Sequence, residues 1–309
     1  MQAVVSNISA ATRYCAVYGH PIRHSGSPAM QNSGIEALGL DWRYLAFNVH
    51  PDSLADAIRG AQNMHFVGLN LTVPHKQLAV GLVDELDSSA REWGAVNTIR
   101  FEGKDANGDW HSLAHPDSDG FHKLRSVGYN TDADAVVRAC EEDLEIEIAS
   151  SRILIVGVGG AGRVAALKVA ASGCKCLFIV NRTQSKAESV REEIRSRFPG
   201  CEVIIGYPEE RIDLLINGTS LGLKDGDSLP VDLSRISLSS VGAVYDMIYQ
   251  PAETPLLRAA KAVGCKVSNG LGMLVYQGAK ALEIWSEREA PVAAMRLALE
   301  AHIYGNADE

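Results

Sequence analysis

Residues 152–183 read RILIVGVGGAGRVAALKVAASGCKCLFIVNRT. The apolar run Ile153–Val156 stops at a glycine-rich turn, an alanine-rich stretch with helical character follows, and a second apolar run ends at Asn181-Arg182-Thr183. Strand, turn, helix, strand makes a βαβ unit, and that unit needs a parallel sheet. The turn GVGGAG (157–162) has the Gly-x-Gly-x-x-Gly spacing. The spacing alone is a weak signal, but here it follows an apolar strand and opens a helix, the context in which it binds a dinucleotide. Gly157 permits the tight turn, Gly159 lets a pyrophosphate approach the backbone, and Gly162 lets the helix pack on the strand. The helix N-terminus adds attraction for the phosphates. A structural glycine turn is the plainer alternative, and the two correct flanks weigh against it.

The end of the next strand bears on the cofactor. A site for NAD places Asp or Glu there to hold the ribose 2′-hydroxyl. This chain has Asn181-Arg182-Thr183, with Lys186 close behind. A carboxylate would repel a 2′-phosphate, whereas Arg182 pairs with it through a planar fork and Thr183 and Asn181 add hydrogen bonds. The expected cofactor is therefore NADP(H). An arginine merely solvated at a strand end is the competing reading.

Composition sets the outer bounds. The chain has 309 residues, which suits about two domains, and 46% hydrophobic with 22% charged residues suits a globular protein with a full core. The net charge of −9 and the lack of a basic run argue against nucleic acid as a partner. Six cysteines are scattered without a Cys-x-x-Cys pair, so neither a disulfide framework nor a zinc site is indicated, and a reducing, cytoplasmic compartment is expected. The opening MQAVVSNISAATRY lacks the charged-then-apolar pattern of a secretory signal, and no apolar stretch is long enough to span a membrane.

The segment before the glycine turn alternates strands and helices. YCAVYG (14–19), WRYLAFNV (42–49), FVGLNLTV (66–73) and GAVNTIRF (94–101) read as strands. Helices are expected from Pro28 through Leu40, over 51–62 with Asp52 or Ser53 as cap, and from Lys76 to about Leu86. The fold class is thus α/β, with an open, mainly parallel sheet in the first domain and a Rossmann-type second domain. Residues 101–127 are rich in turn formers and read as loop or weak hairpin. DANGD (105–109) resembles the start of a calcium loop, but its sixth position is Trp110 and its twelfth Pro116, so it is rejected. His111, His115 and His122 share no helical face, and no metal is expected.

A nicotinamide cofactor implies hydride transfer, and a carbonyl substrate then needs a proton donor and holding groups. Candidates are Ser25 and Ser27 in HSGSP, Thr72 and Lys76 in LTVPHK, Asn97 in GAVNT and Asp132 in GYNTD. Each has an ordinary alternative as a cap, a turn residue or a solvated lysine, and periodicity does not choose between them.

Taken together, YGHPIRHSGSP, GLNLTVPHK, GAVNT, GYNTD, GVGGAG, NRT, INGTSLG, YDMIY and NGLGMLVYQGA occur in the order found in shikimate dehydrogenases, and the chain resembles that family along nearly its whole length. The resemblance implies reversible NADPH-linked reduction of 3-dehydroshikimate to shikimate, on the route to chorismate and the aromatic amino acids. It implies Lys76 and Asp132 as the catalytic pair. Ser25 and Ser27 would bind the substrate carboxylate, with Tyr249 near it, and Thr72, Asn97 and Gln277 would bond ring hydroxyls. Gly157, Gly159, Gly160, Ala161, Gly162, Asn181, Arg182, Thr183, Lys186, Thr219, Leu221, Met247 and Gly270 would lie on the cofactor side. Family architecture returns the last helices to the first domain, giving residues 1–135 with 271–309 for substrate and 136–270 for NADP, with the cleft between them. A monomer or homodimer is expected.

The chain departs from the family in three places. Gln31-Asn32 stands where His-Asn is usual, Ala135 replaces a common glycine, and the 101–127 segment is longer than usual. Because that segment directly precedes Asp132, it is expected to cover the substrate cleft or to serve an interface. A quinate/shikimate dehydrogenase and a non-catalytic ligand sensor on the same scaffold are the alternatives. A sensor would have lost Lys76 or Asp132. A methylene-tetrahydrofolate dehydrogenase would need Tyr-x-x-x-Lys, and Tyr44 is followed at that offset by Asn48.

Overall fold

The computed structural model describes residues 8–224 and 226–305. Part of the N-terminal stretch read for a leader lies outside the described residues. In chain order the elements are β1 (Arg13–Gly19), α1 (Ser27–Ala37), β2 (Trp42–Asn48), α2 (Leu54–Asn63), β3 (Gly68–Leu71), α3 (His75–Leu78), β4 (Glu85–Leu86), α4 (Ser88–Trp93), β5 (Thr98–Lys104), β6 (Trp110–Ser112) and β7 (Lys123–Tyr129). Then follow α5 (Asp132–Leu144), β8 (Arg152–Val156), α6 (Gly160–Ala171), β9 (Cys176–Val180), α7 (Gln184–Arg197), β10 (Glu202–Ile205), β11 (Ile212–Asn217), β12 (Val241–Asp246), α8 (Pro255–Ala262), β13 (Lys266–Asn269), α9 (Leu271–Ser286) and α10 (Val292–Tyr304). Among the described residues no helix is long and apolar enough to cross a membrane.

The chain forms two compact units. One runs up to Asp132 and resumes at Gln277; the other is Ala133–Tyr276. The division therefore falls inside the continuous helices α5 and α9, rather than at the expected 135/136 and 270/271.

The first unit holds a sheet in the order β2-β1-β3-β5-β7-β4, with β6 paired to β5. β1 is parallel to β2 and β3, while β5 runs antiparallel to β3, β6 and β7, so the sheet is mixed. The C-terminal helices complete this unit. Trp285 of α9 is fully buried and its indole nitrogen donates to the Ile99 carbonyl at 2.9 Å. Gly68 makes room for it, since a Cβ there would lie 2.1 Å from that nitrogen. On the facing helices, the Gln31 amide donates to the Gly278 carbonyl and the Ser33 hydroxyl to the Ala294 carbonyl.

Three local expectations change. The helix expected from Lys76 to Leu86 is one α turn, then a 3₁₀ turn (Ala79–Gly81) and strand β4. Gly81 weakens a helix there, and the Asp84 carboxylate accepts from both the Ser126 amide and hydroxyl, which draws the segment onto β7. α2 begins later than expected, behind a 3₁₀ turn at Pro51–Ser53 that the His50 ring caps by accepting from the Asp52 amide; Ser53 stands at the N-cap of α2, as expected, but makes no side-chain cap bond.

Residues 101–127 form an antiparallel hairpin and do not cover Lys76 and Asp132. Thr98 pairs with Tyr129 at one end and Lys104 with Lys123 at the other, so the tip lies about 20 Å down the strands from the Asp132 end. There Leu113 and Phe121 join the hydrophobic core. Arg13, at the start of β1, donates to the Leu113 carbonyl at 2.5 Å and to the Ser118 hydroxyl at 2.7 Å, fixing the tip.

The second unit has a wholly parallel sheet, β10-β9-β8-β11-β12-β13. β8 and β9 are almost entirely buried, as continuous apolar strands covered on both faces should be. At the end of β8 three glycines converge. Gly157 has a φ of 86°. A Cβ on Gly162 would sit 2.0 Å from the Gly157 carbonyl oxygen, and one on Gly218 would sit 2.6 Å from the same atom. Gly159 and Gly160 face open space.

Gly162→Ala is therefore expected to destabilise the protein by on the order of 3 kcal/mol, because backbone must move. Gly159→Ala is expected to cost about 1 kcal/mol or less. Denaturant titration of the two variants checks the contrast; equal losses would contradict it.

Candidate active site

Lys76 and Asp132 meet in the first unit. The ammonium donates to an Asp132 carboxylate oxygen at 2.7 Å, across 56 residues of sequence. The side chains are 33% and 19% exposed, so the pair remains open to solvent on one side. Each partner is placed by its backbone. β3 ends at Leu71, the chain turns, and the His75 amide donates to the Thr72 carbonyl at 2.8 Å. His75 is fully buried, with Nε2 2.9 Å from the Val49 carbonyl. Burial holds its imidazole below the usual pKa, against the opposing bond to Val49. The Lys76 carbonyl then accepts from the Val96 amide at 2.8 Å.

Asp132 opens α5, and its amide donates to the Asn130 side chain. Just before it, Thr131 is clamped by Asn97. The Thr131 amide donates to Asn97 Oδ1 at 2.8 Å, and Asn97 Nδ2 donates to the Thr131 hydroxyl at 2.9 Å. That hydroxyl donates to the Gln277 carbonyl at 3.0 Å, which brings the start of the returning C-terminal segment to the same place. Asn70 extends the network. Its amide donates to the Asn97 carbonyl and to the Thr98 hydroxyl, and its oxygen accepts from the Tyr44 hydroxyl at 2.7 Å. Tyr44 is buried, which pushes its phenol well above the usual pKa, and it also meets Ser27.

Ser27 is the first residue of α1, and its amide donates to the Ser25 hydroxyl. Two hydroxyls at a helix N-terminus form a site suited to an anion. A polar chain, buried from Tyr44 through Asn70, Thr98 and Asn97 to Thr131, thus runs between partly exposed ends at Ser27 and at Asp132 and Lys76. Thr72 follows β3 in the same loop. Tyr249 lies in the second unit.

Tyr44, Asn70, Thr98 and Thr131 carry no motif of their own in the sequence and gain their role from these buried bonds. The available signals were a polar Asn70 inside the apolar strand GLNL and the Thr in GYNTD.

In the second unit, a cavity of about 530 Å³ is lined by Gly157, Gly159, Asn181, Arg182, Thr183, Lys186, Thr219 and Leu221, among others. Arg182 and Lys186 are exposed, and neither pairs with a carboxylate among the described residues. Gly159 and Gly160 leave the cradle clear of side chains. Open glycine backbone at a helix N-terminus beside two cations without carboxylate partners fits a dinucleotide carrying an extra phosphate. Asn181, expected to add a hydrogen bond to the phosphate, also bonds backbone through both of its polar atoms. Its oxygen accepts from the Val158 amide at 3.0 Å and its nitrogen donates to the Thr183 carbonyl at 2.8 Å, so it ties the glycine turn to the Arg182 segment.

Thr219 and Leu221 are held by a second buried hub. Asn217 Oδ1 accepts from the Thr219 amide and hydroxyl, the Thr219 hydroxyl accepts from the Leu221 amide, and Asn217 Nδ2 donates to Asp246 at 2.9 Å. Asp246 also accepts from the Ile248 amide and the Thr254 hydroxyl. Burial pushes the Asp246 carboxyl above its usual pKa, and these donors counter it. Met247 and Gly270 touch at the ends of β12 and β13: a Cβ on Gly270 would lie 2.1 Å from the Met247 carbonyl oxygen. Asn217, Asp246 and Thr254 were not singled out from sequence, although the first two lie in INGTSLG and YDMIY.

Family models match three stretches of the chain. Residues 17–99 match the shikimate dehydrogenase substrate binding domain, 139–203 the shikimate/quinate 5-dehydrogenase model, and 270–300 the shikimate 5′-dehydrogenase C-terminal domain. The chain is 38% identical over 298 residues to a shikimate dehydrogenase (NADP⁺) of Geobacter metallireducens, covering 94% of this chain and 96% of that one. A crystal structure of shikimate 5-dehydrogenase from Thermus thermophilus, in complex with NADP(H) and shikimate, superposes with a TM-score of 0.75 at 31% identity, covering 94% of this chain and 99% of that one. A 5-ketofructose reductase from a Gluconobacter species, solved without ligand, gives 0.77 at 30% identity with coverage of 94% and 99%. With near-complete coverage of a relative this similar, and with each unit matched by the family's own models, the chain belongs to the shikimate dehydrogenase family.

Proposed function

We propose that the protein catalyses the reversible, NADP-dependent interconversion of 3-dehydroshikimate and shikimate, a step toward chorismate and the aromatic amino acids. The observation that carries this reading is the Lys76–Asp132 ion pair, linked through a polar chain to the hydroxyl-bearing N-terminus of α1 in the same unit, together with a dinucleotide cradle bearing Arg182 and Lys186 in the other. NADPH, when bound, supplies a hydride to the carbonyl carbon of the substrate.

The chain's own groups do the rest. Lys76 as an ammonium gives a proton to the carbonyl oxygen as negative charge gathers there, and the amine takes it back in the oxidative direction. Asp132 fixes the direction of the Lys76 Nζ–H bonds and accepts from a ring hydroxyl. Ser25 and Ser27 hold the carboxylate through neutral donors, so the product is released without breaking an ion pair. Thr72, Asn97, Gln277 and Tyr249 take the remaining polar groups of the ring. Arg182, Lys186 and Thr183 bind the 2′-phosphate, and Gly159 and Gly160 admit the pyrophosphate.

A ketone-reducing relative with a different substrate shares the scaffold, so the choice of substrate rests on groups that recognise a carboxylate. An NAD-linked quinate enzyme would need an acid at the end of β9, where Asn181-Arg182-Thr183 stands. A ligand sensor without catalysis has no need of the Lys76–Asp132 pair.

Lys76→Ala is expected to lower kcat at least about 10²-fold while leaving KM for NADPH nearly unchanged. Steady-state kinetics of the purified variant measure this, and a near-wild-type kcat would remove Lys76 from the mechanism. Arg182→Ala is expected to raise KM for NADP⁺ about 10- to 100-fold with little change for NAD⁺, since a charge-assisted pair to the phosphate is lost. Equal effects on the two cofactors would place the 2′-phosphate elsewhere.

A further inference from the structure

Cys174 and Cys201 meet inside the second unit, 27 residues apart in sequence, with their Sγ atoms 3.5 Å apart. They are 2% and 6% exposed. Cys174 lies in the turn between α6 and β9, and Cys201 in the turn between α7 and β10, so the pair joins the starts of two adjacent parallel strands. Cys176 stands nearby, yet no group of three or more His, Cys, Asp or Glu could hold a metal ion among the described residues. Two thiols in contact, without a metal geometry around them, leave sulfur–sulfur chemistry.

We propose that Cys174 and Cys201 are a reversible disulfide site whose reagent is a low-molecular-weight disulfide of the glutathione type. Access sets the order of attack: Cys201 is the less buried of the two, at 6% exposed against 2%, and is the nucleophile. Cys201 also follows the exposed turn Pro199–Gly200, where local opening admits a reagent. The Cys201 thiolate attacks one sulfur of the small disulfide, forming a mixed disulfide and releasing one small thiolate, which takes a proton. Cys174 then loses its proton to solvent and attacks the Cys201 sulfur, forming the internal bond and releasing the second small thiolate. Two protein thiols are oxidised, and one small disulfide is reduced to two thiols.

The bond closes a loop that contains β9, the Asn181–Thr183 segment and α7. It restricts the unfolded chain and so stabilises this part of the sheet. It forms at the end of β9 opposite Arg182, about 17 Å away, and leaves the cofactor cradle untouched. The isolated cysteines 15, 140 and 265 remain reduced.

The full-length reduced protein is incubated with oxidised glutathione, then examined by thiol titration, peptide mapping and thermal unfolding. Cleavage after Lys175 separates Cys174 from Cys176, so the map identifies the partner. The expected result is loss of two of the six thiols, one cross-link joining the Cys174 and Cys201 peptides, reversal by dithiothreitol, and a Tm rise of about 5 °C or more. Cys201→Ser and, independently, Cys174→Ser abolish the link and the rise, whereas Cys176→Ser keeps both. A link through Cys176, a glutathione adduct on Cys201 that never resolves, an unchanged Tm, or no thiol loss would each overturn the proposal.

Discussion

The buried Asn97 side chain, 2% exposed, is the constraint on which the candidate site depends. Lys76 and Asp132 come from segments 56 residues apart, and the lysine reaches its partner on a four-carbon stem. Their 2.7 Å contact persists only if both backbones are fixed. Asn97 fixes one by clamping Thr131, and the neighbouring Val96 amide fixes the other by bonding the Lys76 carbonyl. Leu71, which ends β3, donates its amide to the Asn97 carbonyl. One short stretch, Val96-Asn97-Thr98, therefore holds the lysine loop, the aspartate loop and Asn70. A buried polar group is stabilising only when its partners are all present, so loss of any member exposes the others to an unmet hydrogen-bonding need.

The second unit uses the same device. β11 ends at Asn217, fully buried, whose side chain holds the Thr219 loop on one side and Asp246 on the other. Strand ladders satisfy backbone groups only while the strands continue. At the ends of strands the chain turns away, and amide groups lose their partners. An asparagine offers a donor and an acceptor on one short side chain, so it replaces the missing ladder while shaping the loop. Two hubs of this kind, one per unit, place the loops to which the chemistry is assigned. The glycines supply the complementary condition: Gly157, Gly162 and Gly218 allow backbone against backbone, and Gly159 and Gly160 keep the cradle open.

Much of this was legible in the sequence where a local rule governs. The glycine turn has its strand before and its helix after, and Arg182 marks the end of the next strand. The Lys76–Asp132 pair was not legible from spacing, because nothing local links residues 56 apart; the family resemblance supplied it. Tyr44, Asn70, Thr131, Asn217 and Asp246 were missed for a related reason. A buried polar residue gains its meaning from tertiary partners, and alone it looks like an ordinary strand or turn residue. The helix expected over 76–86 failed because Asp84 bonds Ser126, a partner 42 residues away. That 101–127 would cover Lys76 and Asp132 did not follow from closeness to Asp132 in sequence, which says nothing about direction: an antiparallel hairpin carries its tip away from its ends.

In the proposed reaction the Ser25 and Ser27 hydroxyls, the Lys76–Asp132 pair and the Arg182 segment serve one carboxylate-bearing substrate and one 2′-phosphorylated cofactor. Initial rates of cofactor reduction by the wild-type protein, with shikimate or quinate and with NADP⁺ or NAD⁺ in all four combinations, measure this. The predicted result is a kcat/KM highest for shikimate with NADP⁺. Turnover confined to quinate with NAD⁺ would contradict it.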